Sequence, residues 1–167
     1  PAKDIENVVR YLASIDYGFK YRYRGKNDLI KRLARSGVVA EDIKRVVIPY
    51  WAPETIGNID AFINSEVLVD RREWEWKAGE SGPLSPGFYN EKINEKLIDL
   101  HLDKAFGAFE NGHDLLGDGS VMLVALPGRS PGNMGVWLNL DNGPVILAGG
   151  SAYVVDNFLD FALPVKG

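Results

Sequence analysis

The stretch from Val46 to Asp60 constrains this chain more than any other. Val46-Val47-Ile48 is a run of β-branched residues that reads as a short buried strand, and Pro49 and Pro53 then impose an irregular loop. Gly57 permits a tight turn, and Asn58 is placed to cap a short helical segment carrying Ile59, Phe62 and Ile63. A strand that stops abruptly, a rigid loop and a helix start is how α/β proteins commonly display reactive groups. The polar side chains on offer in this loop are Tyr50, Glu54 and Thr55, with no histidine and no cysteine.

Composition narrows the chemistry further. The chain has no cysteine, which excludes disulfides, thiolate metal sites and thiol nucleophiles. It has two histidines, His101 and His113, too few for a histidine-rich metal centre. A net charge of -4 argues against a general nucleic-acid binder. The basic run Lys20-Tyr21-Arg22-Tyr23-Arg24-Gly25-Lys26 is the local exception and reads as a solvated strand with alternating faces. No apolar run approaches the roughly 20 residues that span a bilayer, and no signal peptide is visible, so a cytoplasmic protein without membrane partners is expected. At 167 residues the chain suits one domain, 1–167, or the larger part of one.

In chain order, Ile5, Val8, Val9 and Leu12 lie on one face of an amphipathic helix, and Asn27 caps a second with Leu29, Ile30 and Leu33 on its face and Gly37 as its stop. Ala40 to Ile43 forms one turn ahead of the Val46 strand. Glu66 to Val69 is a second short strand, placed for parallel pairing with the first as in a βαβ unit. Arg71 to Lys77 is predicted helical, residues 79–87 a loop, and Asn90 to Phe106 helical through Ile93, Leu97 and Leu100. The last third changes to strands: Val121 to Ala125, then a rigid loop Pro127 to Asn133, Met134 to Leu140, a hairpin turn at Asp141-Asn142-Gly143, and a return strand Val145 to Ala148. Helices with parallel strands followed by an antiparallel meander predict a layered α/β (α+β) architecture.

Two loops and their surroundings resemble the metallo-β-lactamase superfamily, most closely its quorum-quenching lactonase-like branch. That branch carries H-x-H-x-D-H after a strand; here Val46 to Pro49 leads into Tyr50-Trp51-Ala52-Pro53-Glu54-Thr55 and then Ile56-Gly57-Asn58. Asn64 to Val69 followed by Arg71-Arg72-Glu73-Trp74-Glu75-Trp76 is similar to the same branch. A Gly-Asp-Gly turn, a strand and T-P-G-H-S-P-G-H are echoed by Gly117-Asp118-Gly119 and by Leu126-Pro127-Gly128-Arg129-Ser130-Pro131-Gly132-Asn133. Val145 to Tyr153 resembles the strand that ends in the metal-bridging aspartate.

The resemblance implies an αββα sandwich and a hydrolytic metal centre, but the metal-binding residues are replaced. The motif's ligand positions hold Tyr50, Ala52, Glu54 and Thr55, the later histidine position holds Arg129, and the bridging-aspartate position holds Gly150. A zinc centre needs imidazoles and carboxylates converging on the ion, and Arg129 sets a permanent positive charge where a dication would sit. No metal and no cofactor is therefore expected, and the chain reads as a pseudoenzyme of this fold: a structural or regulatory subunit, or a small-ligand binder. The alternative is a metal-independent lactone or ester hydrolase, or a lyase, with Tyr50, Glu54, Arg129 and Tyr153 as catalytic candidates. The ligand-binding candidates are Tyr50, Trp51, Glu54, Thr55, Arg129, Asn133 and Tyr153, Tyr153 matching a tyrosine that lactonase-like enzymes use. The family's N-terminal strands have no counterpart and its C-terminal end lies beyond Gly167, so a partner subunit, self-association or further residues are expected to complete the sandwich.

Other groups read as ordinary structure. His113-Asp114 has the composition of an acid–base pair but lies away from both loops and is expected in a surface turn. His101 is expected on a helix surface, and Gly149-Gly150-Ser151, without a G-x-S-x-G frame, in a strand-end turn. Trp51, Trp74, Trp76 and Trp137 are expected as core or interface aromatics. Glu54 and Arg129 are placed either to pair across the pocket or to stand solvated at a loop surface.

Overall fold

A computed structural model of the chain describes residues 29–78, 94–100, 103–152 and 156–159. The expected N-terminal helix, the basic run, the 79–87 loop, His101 and Tyr153 lie outside the described residues. Helix α1 (Leu29–Arg35) ends at Gly37, whose φ of 75° is the left-handed conformation of a helix stop. A 3-10 turn over Ala40–Asp42 leads into β1 (Arg45–Val47). Pro53 opens a helical turn, α2 (Pro53–Ile56), where the sequence reading expected irregular loop. Proline is well placed at the first helical position, because its missing N–H would have no helical partner there.

The next segment departs in detail from the sequence reading. Asn58 stands at the N-cap of the 3-10 turn Ile59–Phe62, yet its side chain makes no capping hydrogen bond; the backbone closes the turn through Ala61 N–H to Asn58 O at 3.1 Å. Ile59 and Phe62 point into the core, whereas Ile63 is 60% exposed. Strand β2 (Glu66–Asp70) then pairs parallel with β1, with Val46 opposite Val67, as the βαβ reading expected. Asp70 closes the strand: its buried carboxylate accepts the Arg72 N–H at 2.8 Å, satisfying a donor that the start of helix α3 (Arg71–Ala78) leaves open.

The helix expected from Asn90 to Phe106 is overturned where it falls on described residues; Asn90 to Ile93 lie outside them. Asn94–Ile98 is strand β3, parallel to β2 over Glu66↔Asn94 to Asp70↔Ile98. The spacing of Leu97 and Leu100 imitates a helical face, but the pleat sends Leu97 to the helix side of the sheet and Ile98 to the other side. Glu95 and Lys96 are exposed and the apolar residues of β3 are confined to Leu97 and Ile98, so the strand carries no alternation long enough to mark it.

A second, antiparallel sheet follows. It consists of β4 (Gly112–Asp114), β5 (Val121–Ala125), β6 (Met134–Leu140) and β7 (Gly143–Leu147), in that order across the sheet. His113 therefore lies in a strand, opposite Leu123, and not in the surface turn expected of it. The apolar β5 needs an edge partner, and the turn begins one residue later, where the Asp114 carboxylate accepts the Gly117 and Gly119 N–H groups at 2.8 and 2.9 Å. The His113 ring bonds the Asp103 carboxylate through Nδ1 at 3.0 Å. A short helix, α4 (Asp156–Leu159), closes the described chain.

The layers follow from side-chain parity. On one face of the parallel sheet, Val67 and Val69 pack with Ile48, Trp51, Ile56 and Ile59 beneath the helical segments. On the other, Leu68, Ile98 and Leu100 meet Leu123, Ala125 and Met134 of the antiparallel sheet, so the two sheets share one core. This is the expected two-sheet sandwich. Among the described residues no helix is long and apolar enough to cross a membrane.

Candidate functional site

Three chain turns meet where β1 ends and β6 begins. Pro49 stops β1, and its carbonyl accepts the Met134 N–H at 2.9 Å, which ties the 50–55 loop to the 127–133 loop. The third turn follows β7. Gly149 adopts φ 59°, and a Cβ there would lie 2.8 Å from Pro49 Cβ, so glycine permits both the turn and the close approach.

Side chains from the three turns fill the space between them. Arg129 Nη2 donates to Glu54 Oε1 at 2.7 Å, and the Arg129 Cζ sits 4.3 Å above the centre of the Tyr50 ring. The Tyr50 hydroxyl is 3.4 Å from the same Glu54 oxygen. Gly150 backs this stack, since a Cβ at that position would come within 2.7 Å of Tyr50 Cε1 and 2.9 Å of Arg129 Cδ. The pairing of Glu54 with Arg129 is thus realised between the first and second loops.

The other candidates have different neighbours. Thr55 Oγ1 turns back to within 2.6 Å of the Tyr50 carbonyl and accepts the Ala52 N–H at 3.2 Å, so it closes the first turn of α2. Trp51 is buried at 1% exposure and packs edge-on against Trp74, with ring centroids 5.1 Å apart. Asn133 is fully buried and donates to the Leu126 carbonyl at 2.6 Å and to Ser151 Oγ at 2.9 Å, joining the second loop to the third. Tyr50, Glu54 and Arg129 are brought together at the surface; Trp51, Thr55 and Asn133 hold the loops that carry them.

The sequence reading missed Glu73 as a part of this site. Its carboxylate is fully buried in the first turn of α3 and accepts the Trp51 N–H at 2.7 Å, so it anchors the first loop from behind. The detectable signal was an acidic residue between the apolar β2 and two tryptophans, a place where an unpaired carboxylate would be costly.

Exposure decides how strong the Glu54–Arg129 contact is. The side chains are 40% and 32% exposed, and ion pairs in contact with water contribute at most about 1 kcal/mol. A double-mutant cycle with Glu54→Gln and Arg129→Ala, read by chemical denaturation, is expected to give a coupling of about 0.5–1 kcal/mol. A coupling above about 2 kcal/mol would show a pair shielded from water.

Known proteins place the architecture. An N-acyl homoserine lactone hydrolase with the product N-hexanoyl-L-homoserine at its catalytic metal centre matches with a TM-score of 0.68 at 21% identity, over 84% of this chain and 51% of its own. A Thermotoga maritima protein assigned to the metallo-β-lactamases matches with a TM-score of 0.52 at 20% identity, over 78% of this chain and 67% of its own. The fold is that of the metallo-β-lactamases. In sequence, the N-acyl homoserine lactonase AttM of Azorhizobium caulinodans is 29% identical over 135 residues, covering 77% of this chain and 48% of the relative. The chain thus resembles the quorum-quenching lactonase-like branch of the metallo-β-lactamase superfamily, and it spans about half the length of the curated relatives it matches. No protein-family model matches it.

The metal that this fold holds elsewhere does not fit the residues here. Zinc in such a site needs several imidazole or carboxylate donors converging on one point. The metallo-β-lactamase-fold loops of this chain bring Tyr50, Glu54 and Arg129 together; the carboxylate is taken up by Arg129, and the guanidinium repels a dication. Among the described residues, no three His, Cys, Asp or Glu side chains come together as a metal site.

Proposed function

We propose that this chain is a metal-free member of the metallo-β-lactamase fold that has lost metal-dependent hydrolysis and binds a small molecule between its loops. The supporting observation is the placement of Arg129, held by Glu54 and the Tyr50 ring in the frame where the lactonase-like branch carries its metal ligands. By extension from the N-acyl homoserine lactonases it resembles, the ligand is a small acylated molecule of that class. Binding without turnover suits a regulatory or structural subunit. Leu140, Val145 and Leu147 are 48%, 41% and 55% exposed along β6 and β7, consistent with a partner subunit or a second copy completing the sandwich.

Native mass spectrometry of the purified chain tests the metal-free reading. The expected result is the mass of the polypeptide with no zinc, manganese or iron added; a stoichiometric metal would overturn it. The competing reading is a metal-independent hydrolase or lyase, favoured by the 3.4 Å approach of the Tyr50 hydroxyl to Glu54, a proton donor beside a base. Chelator-resistant turnover that disappears in Glu54→Gln would select it.

A further inference from the structure

We infer that the Arg129 guanidinium is an exchangeable anion post, so that the ligand of this site is a carboxylate that displaces Glu54. The inference rests on the ligand-binding reading above and specifies the ligand's chemistry.

Three observations carry it. First, Arg129 is already held in place: its Cζ lies 4.3 Å over the Tyr50 ring, and the bare Gly150 backs the stack where a Cβ would collide with both side chains. A charged group fixed before binding loses little conformational freedom when the ligand arrives. Second, its Glu54 partner is a water-accessible carboxylate, with side chains 32% and 40% exposed, so exchanging it for another carboxylate costs little. Third, a guanidinium presents paired N–H donors that match the two oxygens of a carboxylate, whereas a neutral ester or lactone carbonyl brings no charge. A lactone that displaced Glu54 would separate an ion pair without replacing it. A ring-opened acid replaces it in kind.

The test is a calorimetric titration of the purified full chain with N-hexanoyl-L-homoserine and, separately, with its closed lactone, at mildly acidic pH where the ring persists. The acid is expected to bind roughly tenfold tighter than the lactone, the difference between a charge-assisted and a neutral hydrogen bond. Arg129→Met, with its fold checked by circular dichroism, is expected to abolish that preference. Glu54→Gln supplies the sign that distinguishes exchange from direct contact: removing the internal competitor tightens binding of the acid. Equal or tighter binding of the lactone, weaker acid binding in Glu54→Gln, or binding of neither probe would each overturn the carboxylate inference. The metal content of the same sample is read independently. A metal-free protein that prefers the lactone loses this inference and keeps the metal-free reading; a metal-loaded protein loses both.

Discussion

Trp51→Ala is expected to cost about 3–5 kcal/mol, the usual range for truncating a fully buried aromatic residue. Trp51 is 1% exposed in the cluster formed by Ile48, Ile56, Ile59, Val67 and Val69, and its ring meets Trp74 edge-on at 5.1 Å. Removing the indole leaves a cavity among these buried side chains. At a chain length of 167 residues, that loss corresponds to a fall in Tm on the order of 10 °C, measurable by circular dichroism. The damage extends to function, because Trp51 lies between Pro49, which ties the loop to β6, and Glu54, which pairs with Arg129. Loss of probe binding is therefore expected at temperatures where Trp51→Ala is still folded. A Tm within about 2 °C of wild type would show that the indole is not part of the core.

Gly132→Ala is the second large effect and arises from a single methyl group. A Cβ on Gly132 would overlap the backbone nitrogen of Glu73 and come within 2.6 Å of its Cβ and 2.8 Å of its Cα. These are atoms of the first turn of α3, not the mobile end of a side chain, so relief requires moving the helix or the loop. Overpacking of this kind costs about 1–3 kcal/mol and sometimes more. The strain also has a direction, since the displaced residue is the one whose carboxylate accepts the Trp51 N–H at 2.7 Å. Gly132→Ala should lower Tm by several degrees and weaken ligand binding in the same variant. Glu73→Ala should weaken binding through the same anchor without the steric clash. Wild-type stability in Gly132→Ala would mean that the loop and α3 do not approach as closely as the structure shows.

How legible each element was depended on how local its signal is. β2, β5 and β6 were readable from apolar runs bounded by turn residues, and Gly37, with φ 75°, from its place after the last apolar helical residue. β3 was not, because Leu97 and Leu100 fit a helical face, and only pairing with β2 reveals that Leu97 and Ile98 face opposite layers. His113 was misplaced because Asp114 and the glycines after it carry a turn signal that extends back over β4. The 3-10 turn at Ile59 was located correctly, but its cap chemistry was not, since the backbone closed it without the Asn58 side chain.

For the site, the replacement of the resembled metal-binding motif was legible in residue identity. Tyr50, Ala52, Glu54 and Thr55 stand where the resembled motif carries H-x-H-x-D-H, and Arg129 and Gly150 stand at its later ligand positions, a substitution visible residue by residue. The meeting of Glu54 with Arg129 is of another kind. They are 75 positions apart, and the resemblance of the two loop frames set them at one site but left pairing and solvation both open. Their contact depends on how two sheets stack, on which way each loop leaves its strand, and on a glycine at 150 that leaves room for the Tyr50–Arg129 stack. Glu73 follows the same rule: its carboxylate is unremarkable on a helix and becomes an anchor only when that helix packs behind the first loop. Residue types bound the chemistry locally, whereas contacts distant in sequence exist only once packing has set the direction of every side chain involved.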